Sequence, residues 1–264
     1  MNSKPTHQQQ REQWRDALES AIAHPEEPLL VERFNDGWGW NTSARPVSVR
    51  CIHKQTYIIK GQQAGRQIVN DQIIALLGMA LGAPVGRPRI VEISPDLLEC
   101  EPQYNYLTPG TAHATLFIQN CDDDRYPDSF RTNQAENIPR FASLCVLYGW
   151  VLARDHQFLV EKQYPNRVYS VDHGHFFPGG PNWTKETLSQ APAAELDTHL
   201  RILCSFSRKS PEIINALEQL DQVSEDQIIQ AVAAPPNEWG LTMEERVTMV
   251  EYLVKRQKEL INLL

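Results

Sequence analysis

The chain has 264 residues and a formal charge of -8, long enough for one large domain or for two lobes around a shared core. The acidic balance argues against direct nucleic-acid binding. The five cysteines (Cys51, Cys100, Cys121, Cys145 and Cys204) include no Cys-x-x-Cys pair, which reads as reduced thiols and excludes a disulfide framework or a zinc site. No apolar run reaches the roughly 18 residues of a membrane span, and the polar, Gln-rich stretch Met1–Arg15 has no signal-peptide pattern. The expectation is a cytoplasmic protein with no membrane partner.

Thr6 to Ala23 places Trp14, Ala17, Leu18 and Ala21 at helical spacing and stops at His24-Pro25, a helical extension within residues 1–28. From Leu29 to Lys60 the pattern is strand-like. Val47, Val49, Cys51, Ile58 and Ile59 lie among Thr, Tyr and Val, with a turn at His53–Gln55. Between them, Gly37 to Ala44 ends in Thr42-Ser43-Ala44, small and polar enough for a turn whose backbone amides face an anion. It lacks the Gly-Lys-Ser/Thr ending of a Walker A loop, and an ordinary hairpin turn is the alternative. Gly65–Gly82 is a strong apolar helix, closed by Gly82-Ala83-Pro84. Pro88–Ile93 reads as a strand, Pro95–Leu98 as a turn or short helix, and Ala114–Gln119 as a further strand. Residues 29–120 thus form a β-rich lobe. Asn120 to Asn137, with the acidic run Cys121-Asp122-Asp123-Asp124, reads as a polar connection between lobes.

Residues 121–264 are mainly helical in pattern. Ile138–Ala153 is nearly all apolar and reads as a buried central helix. Phe158–Val160 and Val168–Val171 are short strands joined at Gln163–Asn166. Helical patterns follow at Ala193–Phe206, Pro211–Leu220, Ser224–Ala233 and Thr242–Leu263. Ser224 with Gln227, and Thr242 with Glu245, fit capping boxes. Strands first and helices afterwards make an α+β protein of two unequal lobes.

Three residues stand out together. Lys60 ends the strand-like run Tyr57–Lys60. Asp155 follows the buried helix, in the polar break Arg154-Asp155-His156-Gln157. Asp172 closes the strand Val168–Val171 and is followed by His173-Gly174-His175. Lys, Asp and Asp in that order are what phosphoryl transfer from ATP requires: a lysine for the phosphates, a carboxylate to orient the nucleophile and another for magnesium. Asp71, 11 residues after Lys60 on the apolar helix, is placed to pair with it. Each has a plainer alternative: a solvated strand-end lysine, a solvated helix Asp71, an Asp155 paired with Arg154 or His156. The alternative for His173 and His175 is hydrogen bonding that shapes the turn, because two histidines on one turn do not make a zinc site.

These pieces resemble the HipA-like kinases, in particular the short, stand-alone bacterial branch. The matching text is Tyr57-Ile58-Ile59-Lys60, Gly65-Arg66-Gln67-Ile68-Val69-Asn70-Asp71 and Leu81-Gly82-Ala83-Pro84-Val85. It continues with Gly149-Trp150-Val151-Leu152-Ala153-Arg154-Asp155-His156 and Val171-Asp172-His173-Gly174-His175-Phe176, running from about Asn41 to about Trp183. The resemblance implies a protein-kinase-like fold with a small β-rich lobe and a helical catalytic lobe. It makes Lys60 the ATP lysine and Asp71 the stand-in for the usual helix glutamate. It also makes Asp155 the catalytic aspartate, Asp172 the magnesium aspartate, and Thr42, Ser43 and Ala44 the phosphate-covering loop. The family's catalytic loop usually reads Asp-Arg-His, two residues, then a metal-binding Asn; here Asp155-His156-Gln157 runs straight into Phe158-Leu159. Gln157 is the one amide near the lost Asn.

The expected function is transfer of the γ-phosphoryl group of ATP, with Mg2+, to a Ser or Thr hydroxyl of a protein. The partner is an unknown protein substrate or regulator. The alternatives are a pseudokinase or nucleotide-binding scaffold, and a kinase-fold transferase for a small molecule or lipid headgroup. The lack of a basic amphipathic face counts against a lipid. A DNA-associated toxin–antitoxin role rests on family analogy alone.

Overall fold

A computed structural model describes residues 5–40, 42–124, 127 and 132–264. The β-rich lobe is a closed five-stranded barrel of β1 (Leu29–Gly39), β2 (Val47–Cys51), β3 (Thr56–Lys60), β4 (Pro88–Ile93) and β5 (Gly110–Leu116) in the order β1-β2-β3-β5-β4. Period-2 alternation turns Val47, Val49, Cys51, Tyr57, Ile59, Val91, Ile93, Ala112 and Ala114 into the barrel core. A parallel pairing of Leu29 with Val91 and Leu30 with Glu92 closes it, which removes the free sheet edge.

The helix expected at Thr6–Ala23 is α1 (His7–Ile22), started by a Thr6/Gln9 capping box. Its buried residues Trp14 and Leu18 join the core of the helical lobe. Helix α2 (Gln67–Leu81) ends at Gly82, whose φ of 75° is the left-handed cap that glycine adopts without penalty. Nearly every face of α2 is buried. Ile68, Val69, Ile73, Ile74, Leu77 and Leu81 belong to the large helical-lobe core, while the helix also touches β4 and β5. It is the element that both lobes share.

After the short α3 (Pro95–Cys100), the chain leaves β5 and makes β6 (Cys121–Asp124), β7 (Phe158–Glu161) and β8 (Val168–Ser170), a second sheet in the order β6-β7-β8. Among the described residues the further α-helices are α4 (Ile138–Val151), α5 (Lys185–Ser189), α6 (Thr198–Leu203), α7 (Pro211–Asp221), α8 (Glu225–Ala233) and α9 (Met243–Ile261). Helix α4 is buried along nearly its whole length from Phe141.

Three sequence expectations change. The strand expected at Ala114–Gln119 lies earlier, at 110–116, because pairing with β4 runs back to Gly110 opposite Ile93; Gly110 and Thr111 carry no apolar signal. The acidic run expected as a connection is strand β6, with Asp122 opposite Val160. Backbone pairing at a sheet edge needs no apolar side chain, so tertiary context overrides a poor strand composition. The helix expected over Ala193–Phe206 forms only at Thr198–Leu203. The segment before it is held extended: Asp197 N–H donates to the Cys145 carbonyl at 3.1 Å, and Arg256 donates to the carbonyls of Pro192, Trp150 and Gly149, each at 2.6 Å.

The lobes meet a second time away from the chain connection. Glu238, in the turn between α8 and α9, accepts from Thr111 N–H of β5 at 2.9 Å, and Trp239 Nε1 donates to Thr111 Oγ1 at 2.9 Å.

Segment 191–197 passes so close to α4 that a Cβ on Gly149 would stand 2.1 Å from the Glu195 carbonyl oxygen. The obstacle is backbone, so either it or α4 must move. Gly149→Ala should therefore lower stability by about 1–3 kcal/mol, read as a reduced urea midpoint with an unchanged slope. A midpoint equal to that of the parent protein would show that the close approach is not enforced.

Candidate active site

Lys60 is the last residue of β3 and pairs with His113 of β5. Ile59 before it faces the barrel core, so Lys60 emerges on the opposite side, toward α2. There its ammonium donates to Asp71 Oδ2 at 2.8 Å and to Asp172 Oδ1 at 2.6 Å. The ammonium and Asp71 are almost fully buried, whereas the Asp172 side chain is 36% exposed. Burial alone pulls the Lys60 ammonium down; Asp71 and then Asp172 pull it up by more, and it ends above its ordinary value. Burial pushes the Asp71 carboxyl up, but Lys60 and smaller pulls from His113 and His173 together leave Asp71 below the usual carboxylate range. The site therefore holds one cation and a firmly ionised Asp71.

The Asp172 turn is built onto α2. Asp71 Oδ1 accepts from His173 N–H at 2.7 Å, so one carboxylate binds both the lysine and the turn. Asn70, wholly buried, donates its amide to the carbonyls of Gly174 at 2.8 Å and Phe176 at 3.2 Å, and accepts from Trp183 Nε1 at 2.8 Å. Gly174 is required by the close approach: a Cβ there would sit 2.9 Å from Gln67 Cβ. Asp172 itself has φ 58°, a left-handed position for a residue other than glycine.

His173 shapes this turn. Its Nε2 meets Ser170 Oγ at 2.8 Å, and Ser170 meets Tyr148 OH at 2.6 Å. His113 pairs through Nδ1 with Gln72 Oε1 at 2.8 Å. Burial pulls both imidazoles down to about 4, against the opposing pull of Asp71. Among the described residues no group of three His, Cys, Asp or Glu is arranged to hold a metal by itself.

Asp155 lies on the loop from α4 to β7. Helix α4 ends with Leu152 left-handed, and Asp155 is exposed with φ 53°. The β7–β8 pairing brings this loop beside Asp172, since Val171 N–H donates to the Gln157 carbonyl at 3.2 Å. The Gln157 side chain donates its amide to Asp123 Oδ2 of β6 at 2.9 Å, leaving its oxygen as the end for a further ligand. Thr42 and Ser43 are exposed, Ala44 is buried, and Asn41 lies outside the described residues. Their turn is pinned by the Gln63 amide on the Ala44 carbonyl at 3.0 Å and by Arg45 over the Tyr106 ring.

Sequence reasoning missed Asn70, Trp183 and the Tyr148–Ser170 pair as parts of the site. A legible signal existed for Asn70, a polar residue on an otherwise apolar helix. None existed for Tyr148, one aromatic among many apolar residues.

This arrangement, a barrel lysine tied to a helix carboxylate and to the carboxylate of a strand-end turn, defines a kinase-like protein. The chain belongs to the HipA-like kinase family, whose pattern it matches over residues 35–177, more than half its length. The crystal structure of CtkA, a proinflammatory kinase of Helicobacter pylori, is similar in fold with a TM-score of 0.57. The sequence identity is 9%, over 90% of this chain and 96% of that one. The Golgi casein kinase, alone and with Mn/ADP bound, aligns at TM-scores of 0.43 and 0.47 with 11% identity. These alignments span 96% and 98% of this chain and 76% and 77% of theirs, a likeness too weak to support an argument. No curated protein matches the sequence with significance. No helix among the described residues is long and apolar enough to cross a membrane.

The two buried histidines give the fold a pH dependence. Their folded values of about 4 lie below the 6.5 of the unfolded chain. The unfolded state therefore binds more protons between those limits. Their contribution is complete above about pH 6.5 and disappears as pH falls toward 4, at most on the order of 3 kcal/mol per histidine. Urea unfolding at pH 7 and pH 4.5 should show this loss, and His113→Gln should flatten it. Equal stability at the two pH values in the parent protein would contradict the neutral, buried state of both rings.

Proposed function

We propose that the protein is an ATP- and magnesium-dependent kinase that transfers the γ-phosphoryl group to a Ser or Thr hydroxyl of a protein. The observation that carries this reading is Lys60, buried and held between Asp71 and Asp172. A lysine ammonium has three donors. Two are taken by the carboxylates, and the third is available to a phosphate oxygen. Because Asp71 fixes the ammonium from the buried side, its charge stands ready where phosphate charge must be met, with little reorganisation.

The residues fit a magnesium ion. Asp172 offers a hard, anionic oxygen donor, and it is the more exposed of the two carboxylates on Lys60. Bound there, magnesium supplies neutralisation of the phosphate charge. Asp155 orients the acceptor hydroxyl and takes its proton as the hydroxyl oxygen bonds to phosphorus and the bond to ADP breaks. Thr42, Ser43 and the backbone of Ala44 cover the phosphates. Gln157, engaged with Asp123, is the weaker ligand. Its tie to Asp123 and the direct run of Asp155-His156-Gln157 into β7 also favour a second reading, a nucleotide-binding scaffold with little transfer.

MgATP should raise the melting temperature. At about 100 times its dissociation constant it should add ~2.7 kcal/mol. No shift at millimolar MgATP with folded protein would overturn the reading.

Substitutions should separate the roles. Asp172→Asn should weaken magnesium-dependent ATP binding, whereas Asp155→Asn should leave binding intact and remove transfer of radiolabel. Loss of binding in Asp155→Asn would reverse the assignment. Gln157→Ala should cost far less activity than Asp172→Ala, because magnesium tolerates misplaced ligands badly; equal losses with an unharmed fold would make Gln157 a full ligand.

A further inference from the structure

Asp155 occupies a left-handed backbone conformation that a residue other than glycine rarely adopts, with Leu152 left-handed three residues earlier. Such a loop persists only when its surroundings over-determine it. Beside the bonds of Gln157, the loop carries an aromatic anchor, His156, immediately after Asp155. Its ring lies flat on Tyr148, with centroids 4.7 Å apart and planes at 8°. Phe176 closes on it edge-on at 6.4 Å, and the His199 ring flanks it at 5.2 Å. Its Nε2 is 3.3 Å from Asp197 Oδ2, and both side chains are less than one-fifth exposed.

Both ends of this clamp are fixed independently. Asp197 is the N-cap of α6, accepting from Leu200 N–H at 2.8 Å through its other oxygen, and its backbone is bonded to Cys145 of α4. Tyr148 is wired through Ser170 to His173, the residue next to Asp172. One ring therefore connects the Asp155 loop to the Asp172 turn on one side and to α6 on the other.

We propose that His156 is a positioning residue. Clamped between the Tyr148 ring and the Asp197 carboxylate, it holds Asp155 in its left-handed conformation and in fixed relation to Asp172. The inference rests on the kinase reading and adds to it a reason why so short a loop keeps its geometry. It also gives Asp197, a residue with no other link to the site, a part in the reaction.

The test uses the full chain, with MgATP, myelin basic protein as probe acceptor, and ADP release without acceptor. Asp197→Asn keeps the helix cap, because Asn caps as well as Asp, and His156→Phe keeps the aromatic stack. Each should lower kcat by ~10²-fold, as a misplacement near 1 Å does, with the KM for MgATP and the melting temperature little changed. His156→Gln, which returns a polar group to the position facing Asp197, should recover part of the loss. The double variant should be no worse than either single one, since both break one contact. A wild-type kcat in His156→Phe and Asp197→Asn overturns this inference alone, as do losses that add or a KM that rises with the fall in kcat. A wild-type protein that turns over no ATP under either condition overturns it together with the kinase reading, and its MgATP melting shift then shows whether nucleotide binding survives.

Discussion

A single buried ammonium sets the geometry of this molecule. Lys60 brings a positive charge out of the barrel into a place with almost no water, and a lone cation there is untenable. Asp71 from α2 and Asp172 from the helical lobe both close on it, so β3, α2 and the Asp172 turn meet at one atom. Such a triad adds little net stability over an apolar cluster, but removing one partner costs about 3–5 kcal/mol because the other charges stay buried. What the triad provides is a unique arrangement: β3, α2 and the Asp172 turn have one mutual position in which every charge is met.

Helix α2 is the body through which that constraint spreads. Its apolar residues pack into the helical lobe, and Asn70 and Asp71 project onto the 172–183 segment from adjacent positions. At its start, Arg66 pairs with Glu245 and lies over the Trp183 ring at 4.6 Å. The first turns of α9 carry Glu244 and Glu245, which suit the positive end of a helix dipole. Glu244 takes Arg11 and Arg15 of α1. Exposed pairs of this kind contribute little singly. Their shared origin on one helix nonetheless joins the N-terminal extension to the segment that carries Asp172.

The Asp155 loop differs from the Lys60–Asp172 cluster in how it is held. Lys60 and Asp172 are fixed by charge and hydrogen bonds around α2. The loop that carries Asp155 runs between a left-handed helix cap and the entry into β7, with an aromatic stack at His156. The lobes are also held twice, by the chain leaving β5 and by Glu238 and Trp239 on Thr111 at its other end. A loop with few residues then needs few contacts, since its two ends cannot drift.

Much of this was legible in the sequence. Period-2 runs located β2, β3 and β4, helical spacing located α1 and α2, and helical spacing with capping boxes located α8 and α9, because those signals are local. The Lys60–Asp71 pair was legible from a strand end and a helix position 11 residues apart. The tertiary structure alone decided what depends on partners. Strand β6 exists because β7 offers it backbone groups, although Asp122, Asp123 and Asp124 disfavour a strand. Residues 191–197 stay extended because Arg256 and α4 bind their backbone. The neutral states of His113 and His173, the hold of Asn70 on the 172–183 segment and the clamp on His156 follow from burial and from contacts across tens of residues. Side-chain chemistry is written in the sequence, but the water and charge around each group are set only when the chain closes on itself.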